Sequence, residues 1–141
     1  MSGVLVIKNL DYGDDTFDSD IGSWNVTRAA RDCAAGKHKA WEFDVAEVLE
    51  ASKAIDVNER KVARMAANVK RFKKAPPPIM VVENNRVWLI DGHHRLRALA
   101  RLKLSPTFLA YVIEEADAEP YRVYFNGERV SPWMKSKAAP T

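Results

Sequence analysis

The sequence predicts an α+β fold, because two long amphipathic helices alternate irregularly with short strands instead of following a regular strand–helix–strand repeat. Three observations carry this. Val62, Met65, Ala66, Val69 and Phe72 recur at helical spacing, and Leu96, Leu99 and Leu102 do so again. Residues 79–82 and 87–90 are short β-branched runs separated by Glu83-Asn84-Asn85-Arg86. The strands around Met80, Leu89 and Phe108 are expected to share one small sheet, with the two long helices packed against it.

Taken in order, residues 4–7 (Val-Leu-Val-Ile) are an early strand candidate. They lack the basic leader and long apolar core of a signal peptide. An acidic loop over 11–20 follows and is expected to be peripheral. Residues 25–35 read as a short helix with Val26, Ala29, Ala30 and Cys33 on one face, ended by Gly36. Residues 39–44 alternate like a strand, and Asp44 then caps a helical turn holding Val45, Val48 and Leu49. The clearest helix spans 59–73 behind the N-cap Asn58. Its outer face carries Arg60, Lys61, Arg64, Lys70, Arg71, Lys73 and Lys74, and Pro76-Pro77-Pro78 stops it.

The asparagines at 84 and 85 tolerate a left-handed backbone, so the runs on either side form a hairpin. A helix over 94–104 points Arg97, Arg101 and Lys103 outward. A strand over 107–113, an acidic short helix or loop over 114–119 and a last hairpin from 121 complete the order. The domain organisation expected is an extension over 1–39, a domain over 40–131 and a polar tail over 132–141.

Composition sets the outer bounds. The 141 residues, 47% hydrophobic, can bury one core. With 22 basic against 19 acidic residues the net charge is +3, so attraction to polyanions has to come from local clustering. The single Cys33 rules out a disulfide framework and a cysteine-built zinc site, and fits a reducing, cytoplasmic compartment. No stretch reaches the roughly 20 apolar residues of a membrane span, so no membrane partner is expected.

The chemistry concentrates in Asp91-Gly92-His93-His94-Arg95, where the second hairpin strand runs into a helix. A glycine there lets the backbone turn sharply, and the free N–H groups of the helix start attract anions. His94 and Arg95 add donors for phosphate, while His93, with Asp91, is the acid/base candidate. The plainer alternative has Asp91 capping the helix, Gly92 serving the turn, one histidine in the core and Arg95 paired with an acid. Neighbouring helical histidines diverge by about 100°, which speaks against zinc. Mg²⁺ held by substrate phosphates with Asp91 or a glutamate stays open.

From about Trp41 to Val130 the chain resembles the ParB/sulfiredoxin superfamily. Gly92-His93-His94-Arg95 is similar to the Gly-Cys-His-Arg of sulfiredoxins and the Gly-Glu-Arg-Arg of ParB proteins, and more similar still to the Asp-Gly-His-His-Arg turn of free-serine kinase relatives. The resemblance implies a single ParB/sulfiredoxin-like domain with a small mixed sheet and helices packed on it. It also implies that Lys61, Arg64 and Asn68 contact a nucleotide and that Gly92, His94 and Arg95 hold its phosphates. His93 stands where sulfiredoxins have their cysteine, and Cys33 lies outside the matched stretch, so sulfinic-acid reduction is not expected. A full partition protein is not expected either, since no helix-turn-helix follows.

Three functions are open at this point. The first is a stand-alone ParB-like nuclease or NTP hydrolase, with Lys70, Arg71, Lys73, Lys74, Lys135 and Lys137 steering DNA. The second is a small-molecule kinase with Glu47, Glu50 or Glu59 as base. The third is a non-enzymatic module switched by a nucleotide. The implied ligands are ATP, ADP or CTP, with Mg²⁺ as a possible companion. DNA is a further candidate partner, and the oligomeric state is left open.

Overall fold

The computed structural model describes residues 5–19, 21–53, 55–72 and 76–129. Its strands and helices run β1 (Ile7–Lys8), β2 (Thr16–Ser19), β3 (Gly22–Asn25), α1 (Val26–Ala34), β4 (Ala40–Asp44), α2 (Val45–Ser52), α3 (Glu59–Phe72), β5 (Ile79–Glu83), β6 (Arg86–Asp91), α4 (His93–Leu102), β7 (Thr107–Ile113), β8 (Tyr124–Phe125) and β9 (Glu128–Arg129). The class is α+β, as the sequence predicts. The chain divides into two compact units, one over His38–Ile113 and one joining residues up to Lys37 with those from Glu114 onward. The expected polar tail from 132 lies outside the described residues, as do Val4, Lys73, Lys74, Lys135 and Lys137.

In the unit over His38–Ile113, four strands form a mixed sheet in the order β4-β7-β5-β6. β5 and β6 are the expected hairpin: Asn84 and Asn85 take φ of 55° and 61°, the left-handed pair that a tight two-residue turn demands. β7 returns parallel to β5, pairing Ile79 with Tyr111 and Val81 with Ile113, and β4 closes the other edge antiparallel to β7. Met80, Leu89 and Phe108 thus share one sheet face. Val45, Val48 and Leu96 pack on it to form the core.

The helices form where the apolar spacing places them. Asp44 caps α2 by accepting the Glu47 N–H. Asn58 caps α3 by accepting the Lys61 N–H at 3.2 Å. α4 is shared between two clusters: Leu96 faces the sheet, while Ala98 meets Val62 and Ala66 of α3, with Leu102 packed alongside. Lys103, at φ 51°, ends α4 through an N–H bond to Leu99. Burying Leu96 contributes about 2 kcal/mol. Phe72, expected on the inner face of α3, is 58% exposed. It is the last described residue of α3.

In the other unit, Asn25 caps α1 by accepting the Arg28 N–H at 3.0 Å, and Ala29 and Cys33 are buried. Ala30, expected on the same face, is exposed because the buried stripe of so short a helix is only as wide as those two residues. The acidic loop expected over 11–20 is half strand: β2 pairs with β3, setting Phe17 opposite the fully buried Trp24. Cross-strand aromatic packing outweighs the acidic composition there. Residues 114–121 are two short 3-10 turns, and Asn126-Gly127, both at positive φ, join β8 to β9. No helix among the described residues is long and apolar enough to cross a membrane.

Candidate functional site

Gly92 fixes the geometry. It is the N-cap of α4 at φ 106°, ψ 20°, and a Cβ built on it would come within 2.7 Å of the Pro78 Cβ. Only glycine meets both conditions. No side chain caps the helix, so the N–H groups of its first turn are left to the cleft or to water. Asp91, which the plainer alternative made the cap, is instead paired with Arg95, Nη2 to Oδ2 at 2.8 Å, one turn on. Arg95 also donates to the Pro76 carbonyl at 3.3 Å.

The two histidines separate as helical neighbours must. His93 turns inward and is 8% exposed. Its Nε2 donates to the Leu89 carbonyl at 2.9 Å, which leaves Nδ1 to accept from the Ser52 hydroxyl at 2.6 Å. Burial holds its pKa below the ordinary value, and the positive charge of Arg97 adds to this. His93 is therefore a neutral interior residue, with both ring nitrogens engaged away from the cleft. This placement does not favour the acid/base role expected of it.

His94 faces the cleft. Its Nε2 accepts the Asn58 backbone N–H at 3.0 Å, which places the ring proton on Nδ1. Partial burial lowers its pKa, as do the charges of Lys61 and Arg97. Among the described residues nothing accepts from Nδ1, so that N–H is available to a ligand.

An open cleft of about 340 Å³ collects these groups. Lys61, Met65, Asn68 and Val69 of α3 line one side, and Asp91, Gly92, His94 and Arg95 line the other, with Pro76 beside them. Lys61 and Asn68 lie seven residues apart on one helix face, as the resemblance implies. Arg64 is exposed elsewhere on α3 and does not line the cleft, because a residue three positions from Lys61 has rotated off the lining. Lys70 and Arg71 are exposed near the end of α3, also away from it.

Sequence reasoning missed five contributors. Met65, Val69 and Pro76 give the cleft an apolar patch, and Asn58 orients His94 through its main chain. Arg97, expected to point outward, donates to the Ser52 and Ile55 carbonyls at 3.0 and 3.2 Å, fixing the end of α2 beside His93. Backbone contacts of this kind leave no trace in residue type. The three glutamates named as bases lie outside the lining: Glu50 pairs with Lys53, Glu59 with Arg101, and Glu47 sits in the first turn of α2.

The described residues contain no group of three His, Cys, Asp or Glu side chains placed to hold a metal. The carboxylate of the cleft, Asp91, is already matched by Arg95. The residues present do not make a metal cage. The arrangement is a set of donors: a helix start, an ammonium, a guanidinium and an imidazole N–H, converging beside an apolar surface.

The family model described as "Putative ParB-like nuclease" matches residues 43–133, more than half of the chain and every residue of the cleft. The chain belongs to this ParB-like nuclease family, which ties it to nucleic-acid-related work and bears out the resemblance. No curated protein and no solved structure matches it in the same comparisons.

Proposed function

We propose that the cleft binds the phosphates of a nucleotide or of a nucleic-acid end, and that the chain acts there as a phosphodiester or NTP hydrolase. The observation that carries this reading is the convergence of Lys61, His94 Nδ1–H, Arg95 and the uncapped start of α4 on one cleft. Each is a donor or a positive partial charge, and none of the four can accept a proton from water. The apolar stretch of Met65, Val69 and Pro76 suits the sugar or base attached to such a phosphate. A phosphate that takes over Arg95 displaces Asp91. The freed carboxylate then stands in the cleft as the group able to take a proton from an attacking water.

A second reading is a nucleotide-switched binding module, with ATP, ADP or CTP as its ligand. It is favoured by one observation: neither histidine offers the cleft an acceptor, since His93 is committed inward and His94 Nε2 is held by Asn58. A small-molecule kinase has less support, because Glu47, Glu50 and Glu59 all lie off the cleft. The test measures binding and turnover together. Each of four nucleoside triphosphates is titrated calorimetrically, then incubated with Mg²⁺ and assayed for diphosphate release, with plasmid and oligonucleotide cleavage run in parallel. Turnover lost in Asp91→Asn supports the hydrolase, and tight binding without turnover supports the module. No binding by the wild type overturns both.

A further inference from the structure

Outside the cleft, the outer side of α3 carries a pattern that the phosphate site does not use. Arg60, Arg64 and Arg71 fall within about 40° of one another around the helix and span about 17 Å along it. All three are exposed, as is Ala67 between them. Among the described residues none of the three makes an ion pair. Glu59, the nearest acid along the helix, is neutralised by Arg101 at 2.7 Å. Phe72 follows Arg71 at the end of the helix, about 100° around it from the row; it is 58% exposed, and the Arg71 guanidinium lies 5.2 Å from its ring centroid.

A row of guanidinium groups beside an exposed aromatic ring is what an unpaired nucleic-acid strand needs: charges to track the backbone and a ring face on which a base can stack. We infer that the arginine row of α3, Arg60, Arg64 and Arg71, leads through the Arg71–Phe72 contact onto the Phe72 ring and is a track for single-stranded nucleic acid. The inference rests on the nucleic-acid side of the reading above, but uses none of the residues that line the cleft. An anionic membrane fits less well. A helix that lies in a lipid surface buries its apolar face there, whereas Val62 and Ala66 of α3 are already packed against α4. A paired duplex would leave the Phe72 ring without a base to stack on.

The experiment uses fluorescence anisotropy of a labelled 16-nucleotide thymidine strand across a salt series, on the full chain. The wild type should bind with a steep salt dependence. Arg60→Gln/Arg64→Gln/Arg71→Gln should flatten the slope of log affinity against log salt by about 2, at about 0.7 per phosphate lost. Phe72→Ala should weaken binding about fivefold or more while leaving the slope in place. Calorimetric titration of mononucleotides, run on the same variants, should be unchanged. Strand binding that is equal in wild type and both variants overturns the track, as does wild-type binding to phosphatidylserine vesicles but not to the strand. Mononucleotide binding without strand binding sinks the track and spares the cleft. Strand binding without mononucleotide binding does the reverse.

Discussion

Arg95 reaches back one helical turn to Asp91 and binds it at 2.8 Å, so the guanidinium of the cleft is matched by a carboxylate of the same cleft. On the function proposed above, an incoming phosphate would compete with Asp91 for the same guanidinium.

Arg95→Ala should therefore lower nucleotide affinity roughly 10- to 150-fold, the equivalent of one charge-assisted contact of about 1.5–3 kcal/mol. Stability should barely move, because a partly exposed i,i+4 pair contributes only about 0.3–0.5 kcal/mol. Asp91→Asn should act in the opposite sense on binding, raising affinity about fivefold by removing a like charge near the phosphate. Calorimetry with ATP, CTP and ADP reads both. Equal affinity in wild type and Arg95→Ala would make Arg95 a purely structural partner.

His93→Ala should damage the fold rather than the chemistry. It strands the Ser52 hydroxyl and the Leu89 carbonyl, each at a cost of about 1–3 kcal/mol. The folded pKa of His93 lies below its ordinary 6.5, so the unfolded chain takes up the proton first as pH falls. Stability should be full above about pH 6.5 and decline below it, and that decline should be shallower in His93→Gln. His94 is shifted the same way and contributes its own part, which a parallel His94→Gln variant separates. Denaturant unfolding between pH 7.5 and 5 measures it. A decline as steep in His93→Gln as in the wild type would remove His93 from the account.

Much of this was legible in advance, and for identifiable reasons. The 3.6-residue spacing of Val62, Ala66 and Val69 marks α3, Asn58 and Asp44 mark helix starts by their capping chemistry, and Asn84-Asn85 marks the hairpin. The helix-start turn at Gly92 was legible too, because strand, glycine and helix meet there in sequence. What escaped were properties that depend on which way a side chain turns. His93 and His94 are equivalent as letters, yet the helix sends one into the core and the other into the cleft. Arg64 differs from Lys61 only by the rotation of three residues. Phe72 continues the apolar spacing but is exposed at the end of α3.

The two basic residues of α3 should separate by ligand. Lys61→Ala should weaken mononucleotide binding about tenfold, as the loss of one contact to a charged group. Arg64→Ala should leave it unchanged, since Arg64 does not line the cleft. Titration of both variants with one triphosphate decides this, and a loss in Arg64→Ala equal to that in Lys61→Ala would redraw the site.

Gly92→Ala should be strongly disruptive for the addition of a single methyl group. It forces a non-glycine residue to φ 106° and a Cβ to within 2.7 Å of the Pro78 Cβ, a combined cost of about 2–5 kcal/mol. The melting temperature should fall by roughly 10 °C. Phosphate binding should fall with it, because the first turn of α4 can no longer keep its position. A melting temperature within a degree or two of wild type would show that the turn relaxes freely.

The contact between Pro78 and Gly92 has a consequence for recognising kin. The two residues stand fourteen positions apart and close the hairpin of β5 and β6 at the end where the anion donors begin. A short Gly-x-x-Arg pattern occurs by chance in many unrelated chains. A buried proline at the entry to one strand, joined to a glycine at the exit of its neighbour, states a three-dimensional condition and not a string of letters. Distant relatives that keep the turn while changing its histidines are best sought by that pair.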